Sequence, residues 1–142
     1  MEESISALQG HCVCGEVEFE IRGAPIDWVQ CGCARCRRAG NSEYASVLIV
    51  ERADFQWLRG ESCVAEPHER EASHSSSAFC RRCGSDLPRV LQDLPVVVVP
   101  ADSLTSEPAG MRPMTHQNVG SKAFAFEIAD RLSKYTEVPP SV

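Results

Sequence analysis

Apolar and charged residues alternate strictly between positions 16 and 22: Val17, Phe19 and Ile21 are interleaved with Glu16, Glu18, Glu20 and Arg22. Successive side chains of a strand point to opposite faces. This period of two therefore predicts a half-buried strand over 13–22, apolar on one face and charged on the other. Gly23-Ala24-Pro25 ends it. Trp28 and Val29 open a second short strand that runs into Cys31, and residues 34–39 (ARCRRA) fit one helical turn closed by Gly40-Asn41. β-branched and aromatic residues mark further strands over 44–50 and 55–58, the latter followed by a turn at Gly60. Shorter ones are expected over 63–66 and 74–79, the second leading into Cys80. Residues 87–91 and 95–99 read as a hairpin around Gln92-Asp93, and 102–104 as a helical turn. A short helix is expected over 127–132, a loop over 110–114 and a loose tail over 138–142. Many short strands separated by Gly and Pro predict a mainly β, antiparallel architecture with few short helices. The 142 residues suit a single domain, and neither an internal repeat nor a separable linker interrupts them.

Charge narrows the function. Twenty acids against 14 bases give a formal charge of -6, which disfavours general electrostatic binding to nucleic acid or to an anionic membrane. The longest apolar run, Val96-Val97-Val98-Val99 between two prolines, falls far short of the roughly 20 residues a membrane helix needs. The first residues, MEESISALQG, are acidic and polar, unlike a secretory leader, so a cytoplasmic location is the expectation.

Eight cysteines change the picture most. In a reducing cytosol, metal binding explains such a count better than a disulfide scaffold does. Seven fall into clusters: Cys12-Val13-Cys14, Cys31-Gly32-Cys33-Ala34-Arg35-Cys36, and Cys80-Arg81-Arg82-Cys83 followed by Gly84. C-x-C on an extended segment points both thiols to one face. C-x-x-C-G matches a zinc knuckle, in which Gly84 supplies a left-handed turn residue. Pairing Cys12 and Cys14 with Cys80 and Cys83 makes a closed, structural Cys₄ zinc site that ties the N-terminal strand to the middle of the chain. Cys31, Cys33 and Cys36 then offer three thiolates and an open fourth position, where a small thiol can be held as thiolate.

Arg35, Arg37 and Arg38 flank one cluster and Arg81 and Arg82 the other. They offset the negative charge of a zinc–thiolate centre or face solvent, and those of the first group are candidates for meeting ligand carboxylates. Cys63 stands alone and reads as a small buried hydrophobe. His11, beside Cys12, reads as a surface or supporting residue, and His68 and His74 carry no signal.

Several segments resemble the glutathione-dependent formaldehyde-activating enzyme family, which also includes centromere protein V. They are Gly10-His11-Cys12-Val13-Cys14-Gly15-Glu16-Val17-Glu18-Phe19, Gly23-Ala24-Pro25, the Cys31, Cys33, Cys36 cluster with Arg37 and Gly40, and Phe79-Cys80-Arg81-Arg82-Cys83-Gly84-Ser85-Asp86-Leu87. His116-Gln117-Asn118-Val119-Gly120-Ser121-Lys122-Ala123-Phe124 completes the match, which runs in order over about 8–136. The resemblance implies an exchange-factor-like zinc-binding β fold. It implies a structural zinc on Cys12, Cys14, Cys80 and Cys83, and a labile second zinc on Cys31, Cys33 and Cys36. It also implies a carbon–sulfur lyase activity joining glutathione and formaldehyde as S-(hydroxymethyl)glutathione. Gly32 and Phe124 depart from the family's usual His and Trp.

The expected function is accordingly a zinc-dependent enzyme acting on glutathione or a similar thiol and an aldehyde. Cys31, Cys33 and Cys36 form its centre, and Arg35, Arg37 and Lys122 are candidate ligand contacts. A non-catalytic thiol or zinc carrier, a protein-interaction module and a redox-active C-x-x-C are the alternatives. His116 is the candidate acid–base residue or a hydrogen-bonded structural histidine, and a homodimer through a sheet edge is compatible with the pattern.

Overall fold

A computed structural model describes residues 7–40, 42–66, 77–123 and 126–138. Phe124, His68, His74 and the start of the strand expected over 74–79 lie outside the described residues, as do the tail beyond 138 and the side chain of Arg35.

The elements run β1 (Leu8–His11), β2 (Glu18–Ile21), β3 (Asp27–Cys31), α1 (Ala34–Gly40), β4 (Ala45–Glu51), β5 (Phe55–Arg59) and β6 (Val64–Ala65). They continue with β7 (Ala78–Cys80), β8 (Asp86–Leu87), β9 (Arg89–Val90), β10 (Val96–Pro100), β11 (Thr115–Gln117) and β12 (Ser133–Lys134). Among the described residues three sheets result, with strand orders β1-β2-β5, β12-β11-β3-β4-β10-β9 and β6-β7-β8. The fold is mainly β, as the short-strand pattern predicts. Pairing is antiparallel except at β11, which lies parallel to both β3 and β12.

Alternation explains how the layers stack. In β4 and β10, Leu48, Val50, Val97 and Val99 point to one face of the six-stranded sheet and are fully buried against Leu8, Phe19 and Ile21 of the first sheet. Phe19 seals the joint with Phe55 (centroids 5.7 Å apart) and an edge-on Trp57 (6.2 Å). Each such aromatic pair adds about 0.5–1.5 kcal/mol beyond its burial. The opposite face of the large sheet carries Val29, Val47, Ile49 and Val98, which form the floor of a cavity. A second core cluster, Cys12, Val17, Cys80 and Leu87, joins the third sheet to the first.

The expected helix over 127–132 is absent, and 126–132 is irregular. Side chains compete for the backbone there: the Asp130 carboxylate accepts the Leu132 N–H (3.0 Å), and Lys134 Nζ donates to the carbonyls of Asp130 (2.9 Å) and Leu132 (2.7 Å). An Asp that captures the N–H two residues on favours a turn over a helix. The hairpin over 87–99 forms as Val90 opposite Val97 and Arg89 opposite Val98, while Leu87 belongs to the third sheet.

Candidate metal centres and the cavity between them

The sulfurs of Cys12, Cys14, Cys80 and Cys83 lie within 4.8 Å of one another. Two tight turns bring them together. After Cys14, Gly15 takes φ +78° and its N–H bonds the Cys12 carbonyl at 3.0 Å. After Cys83, Gly84 takes φ +80° and its N–H bonds the Cys80 carbonyl at 2.8 Å. Only glycine enters this left-handed region without a steric cost. Within each turn a backbone N–H points at a sulfur: Val17 N–H at Cys12 (3.4 Å) and Arg82 N–H at Cys80 (3.4 Å). The two knuckles are also tied together, since Val13 N–H donates to Ser85 Oγ at 2.9 Å.

Burial divides this set in two. Cys12 and Cys80 are buried in the second core cluster, whereas Cys14 and Cys83 are exposed. Burial pushes the Cys12 thiol up, but the Val17 N–H and the Cys14 and Cys80 thiols outweigh it, so its pKa falls below the ordinary thiol value. Cys83 falls to about 5, chiefly because the Ser85 hydroxyl bonds its sulfur at 3.0 Å. Neighbouring sulfurs stand 3.5 Å (Cys12–Cys14) and 3.9 Å (Cys14–Cys80) apart. Four sulfurs at a tetrahedral zinc, with Zn–S near 2.3 Å, stand about 3.8 Å apart. The donor set and spacing fit that ion.

The sulfurs of Cys31, Cys33 and Cys36 also lie within 4.8 Å of one another, and all three residues are half-buried. Cys31 ends β3, Cys33 immediately precedes α1, and Cys36 lies within it. Cys36 N–H bonds Cys33 Sγ at 3.3 Å, and Asn118 Nδ2–H bonds Cys31 Sγ at 3.3 Å. The Cys36 thiol beside Cys31 is the main reason the Cys31 pKa falls to about 5, while the same contact drives Cys36 upward. Three thiols with one already inclined to ionise are a soft donor set that could hold zinc.

A cavity of about 960 Å³ opens at the three-thiol cluster and runs past residues that neighbour the four-sulfur cluster. His11, Val13 and Ser85 line it beside the four-sulfur cluster, and Cys31 and Cys36 line it at the other. A space of this size takes a peptide-sized ligand.

The remaining candidates sit as follows. Arg37 donates from Nε to the Gly32 carbonyl (3.2 Å) and from Nη2 to the Ser121 carbonyl (2.9 Å). Lys122 Nζ donates to the Phe126 carbonyl at 2.7 Å. Both cations therefore brace backbone beside the three-thiol cluster. His116 is only 2% exposed and bonds Asp130 through Nε2 at 2.8 Å, with Tyr44 edge-on to its ring at 5.8 Å. Cys63 packs on the second core cluster, matching its reading as a small hydrophobe. Asn118 drew no attention as a functional residue in the sequence, because its reach to Cys31 depends on the pairing of β11 with β3, 87 residues away.

The sulfur clusters, their knuckles and the histidine-led strand all fall where one family model matches, that of the glutathione-dependent formaldehyde-activating enzyme, over residues 7–121. The chain belongs to this family. A crystal structure of a Rhodobacter sphaeroides protein, solved as a structural-genomics target, resembles this member of the family with a TM-score of 0.57 and 25% identity. The similarity covers 74% of this chain and 97% of that one. No curated protein matches the chain. Among the described residues no helix is long and apolar enough to cross a membrane.

Proposed function

We propose that this family member is a zinc-dependent carbon–sulfur lyase of the S-(hydroxymethyl)glutathione synthase type. It acts on glutathione or a similar small thiol and an aldehyde such as formaldehyde, in the cytoplasm. The observation that carries the reading is the three-thiol cluster of Cys31, Cys33 and Cys36 opening onto the 960 Å³ cavity. The four-sulfur cluster supports a structural zinc on Cys12, Cys14, Cys80 and Cys83, with no position left for a ligand.

Zinc at the three-thiol cluster would supply a Lewis-acidic position that keeps an incoming thiol ionised at neutral pH. Cys31, Cys33 and Cys36 would hold that position at the cavity end, with Val29, Val47, Ile49 and Val98 forming the floor beside it. The ionised sulfur adds to the aldehyde carbon; the carbon–oxygen π bond becomes an alkoxide, which takes from solvent one proton, equivalent to the one the thiol released, to give the S-hydroxymethyl thiohemiacetal. We assign the carboxylates of such a thiol to Arg35, since Arg forms bidentate pairs with carboxylates; Arg37, bonded to the Gly32 and Ser121 carbonyls, is assigned to bracing the turn. Lys122, bonded to the Phe126 carbonyl, is assigned to bracing the turn.

A carrier that holds the thiol without turnover is the second reading. It is favoured by His116, the candidate acid–base residue, which is buried and bonded to Asp130 as a structural histidine and is not among the cavity-lining residues.

Zinc per chain, measured by elemental analysis with and without glutathione, tests the reading. Two zincs, with one lost or altered by glutathione, are expected. One firmly held zinc that ignores glutathione would overturn it, and two zincs with glutathione bound but no faster addition to formaldehyde would leave the carrier.

A further inference from the structure

Asn118 follows directly on β11, and the parallel pairing of Gln117 with Cys31 sets it beside the first thiol of the three-sulfur cluster. The Gly32 N–H bonds the Gln117 carbonyl at 2.9 Å, which locks that register next to the site. Among the described residues Asn118 is the only non-glycine with positive φ, at φ 56° and ψ 37°. Asparagine tolerates this left-handed conformation better than other side-chain-bearing residues, yet it remains uncommon.

The neighbouring backbone fixes that conformation. The N–H groups of Asn118, Val119 and Gly120 bond the carbonyls of Glu137 (3.2 Å), Tyr135 (3.0 Å) and Thr136 (3.1 Å). The Asn118 carbonyl accepts the Ser121 N–H at 3.2 Å, and Arg37 clamps the far end of the turn at the Ser121 carbonyl. A backbone held from this many sides aims the carboxamide, and its Nδ2 meets Cys31 Sγ at 3.3 Å. Unusual backbone geometry that is over-determined by its surroundings is a mark of a functional constraint.

The three sulfurs are not supported alike. Cys31 has the Cys33 backbone N–H and the Asn118 side chain, and Cys33 has the Cys36 N–H. The Asn118 bond is the one made by a side chain brought in from a distant strand. We propose that Asn118 is the positioning residue of the three-thiol centre: its carboxamide N–H fixes the Cys31 sulfur and disperses thiolate charge, so that the centre holds a metal ion. The inference rests on the reading of Cys31, Cys33 and Cys36 as a metal site. Hydrogen-bond partners that orient metal ligands typically contribute about 10–100-fold to affinity.

The test is Asn118→Gly in the full-length protein. Glycine keeps the left-handed backbone at no steric cost and removes the carboxamide that reaches Cys31. Zn²⁺ affinity at each site is measured by competition with a chromophoric chelator, and the thiolate-to-metal charge-transfer bands are recorded after Co²⁺ substitution. We expect wild type to bind two ions. We expect the variant to keep the four-sulfur ion and the melting midpoint, to bind the second ion about 10–100-fold more weakly, and to show shifted second-site bands. Unchanged affinity and bands in the variant, beside a two-ion wild type, would overturn the role of Asn118 alone. Loss of both ions together with the midpoint would overturn it too, by making Asn118 a residue of the fold. A wild type that binds only one ion would sink the metal reading of the three-thiol cluster itself.

Discussion

The four-sulfur and three-sulfur clusters use the same ligand chemistry and differ in what stands behind the sulfurs. Cys12 and Cys80 of the first are buried among Val17 and Leu87, so its ligands are part of a hydrophobic core. Cys31, Cys33 and Cys36 of the second are half-buried, and two of them line the cavity. The first joins turns almost 70 residues apart in sequence, as the Cys14–Cys80 contact shows, whereas the second is contained in one strand-to-helix connection. Metal bound at the first would therefore close a long loop and cross-link two sheets; metal bound at the second would order a few residues and leave room for a ligand. The two clusters are thus distinguished by their backing, before any difference in ligand number.

Substituting one ligand in each cluster breaks this comparison most forcefully. Cys80→Ser should abolish cooperative folding. It removes a fully buried sulfur from the core and leaves the metal with three ligands, against a binding free energy of about 10–16 kcal/mol for structural zinc sites. Cys31→Ser should retain the cooperative transition and lose only the second metal. Thermal unfolding followed by circular dichroism, with metal content measured on the same samples, separates the two. A Cys80→Ser protein that melts like wild type would mean that the four-sulfur cluster does not hold the fold together.

How much of this was legible in the sequence follows from how local each signal is. C-x-x-C-G encodes its turn within a few residues, so that knuckle could be read directly; Cys12-Val13-Cys14, expected to be extended and part of a strand over 13–22, is instead a tight turn closed through Gly15, and β2 starts only at Glu18. The alternation around Phe19 is equally local, and Val17, Phe19 and Ile21 are all fully buried. Even there Glu20, on the polar face, is only 8% exposed and is paired with Arg22 at 2.8 Å, because β2 is central in its sheet and flanked on both sides. β1 and β11 were not legible. Leu8–His11 and Thr115–Gln117 have little apolar periodicity and become strands through partners supplied elsewhere, β2 in one case and β3 in the other. The 127–132 segment failed in the opposite way: its composition suits a helix, but the Asp130 side chain takes the Leu132 N–H.

A smaller effect sharpens the role of the buried histidine. His116 holds the Asp130 carboxyl below the usual carboxylate range through the 2.8 Å hydrogen bond, with Lys134 assisting at 3.6 Å. A depressed carboxylate pKa adds stability that is fully present above the unfolded value, near 4, and is lost as pH falls through the lowered folded value. Asp130→Asn should therefore lower the melting midpoint at neutral pH, and the gap to wild type should close as the pH drops below about 4. The four-sulfur metal should be untouched, since β11 and β12 lie in a different sheet. A gap that stays constant down to strongly acidic pH would show that the ion pair is not its source.

Lys122 gives the finest test of where structure ends and ligand binding begins. Its ammonium is spent on the Phe126 carbonyl, and its backbone N–H closes the 119–121 turn on the Val119 carbonyl at 3.1 Å. Lys122→Met keeps the apolar stem and the backbone bond and removes only the charged donor. The loss of one partly exposed hydrogen bond should cost about 1 kcal/mol, visible as a small drop in the melting midpoint. Glutathione affinity, measured by isothermal titration, should change by less than a factor of about 3, because an ammonium anchored on a carbonyl and screened by solvent gains little from one more carboxylate. A tenfold loss of affinity with an unchanged midpoint would reverse the assignment. It would place Lys122 on the ligand, and its bond to Phe126 would then be one that the thiol displaces on entering the cavity.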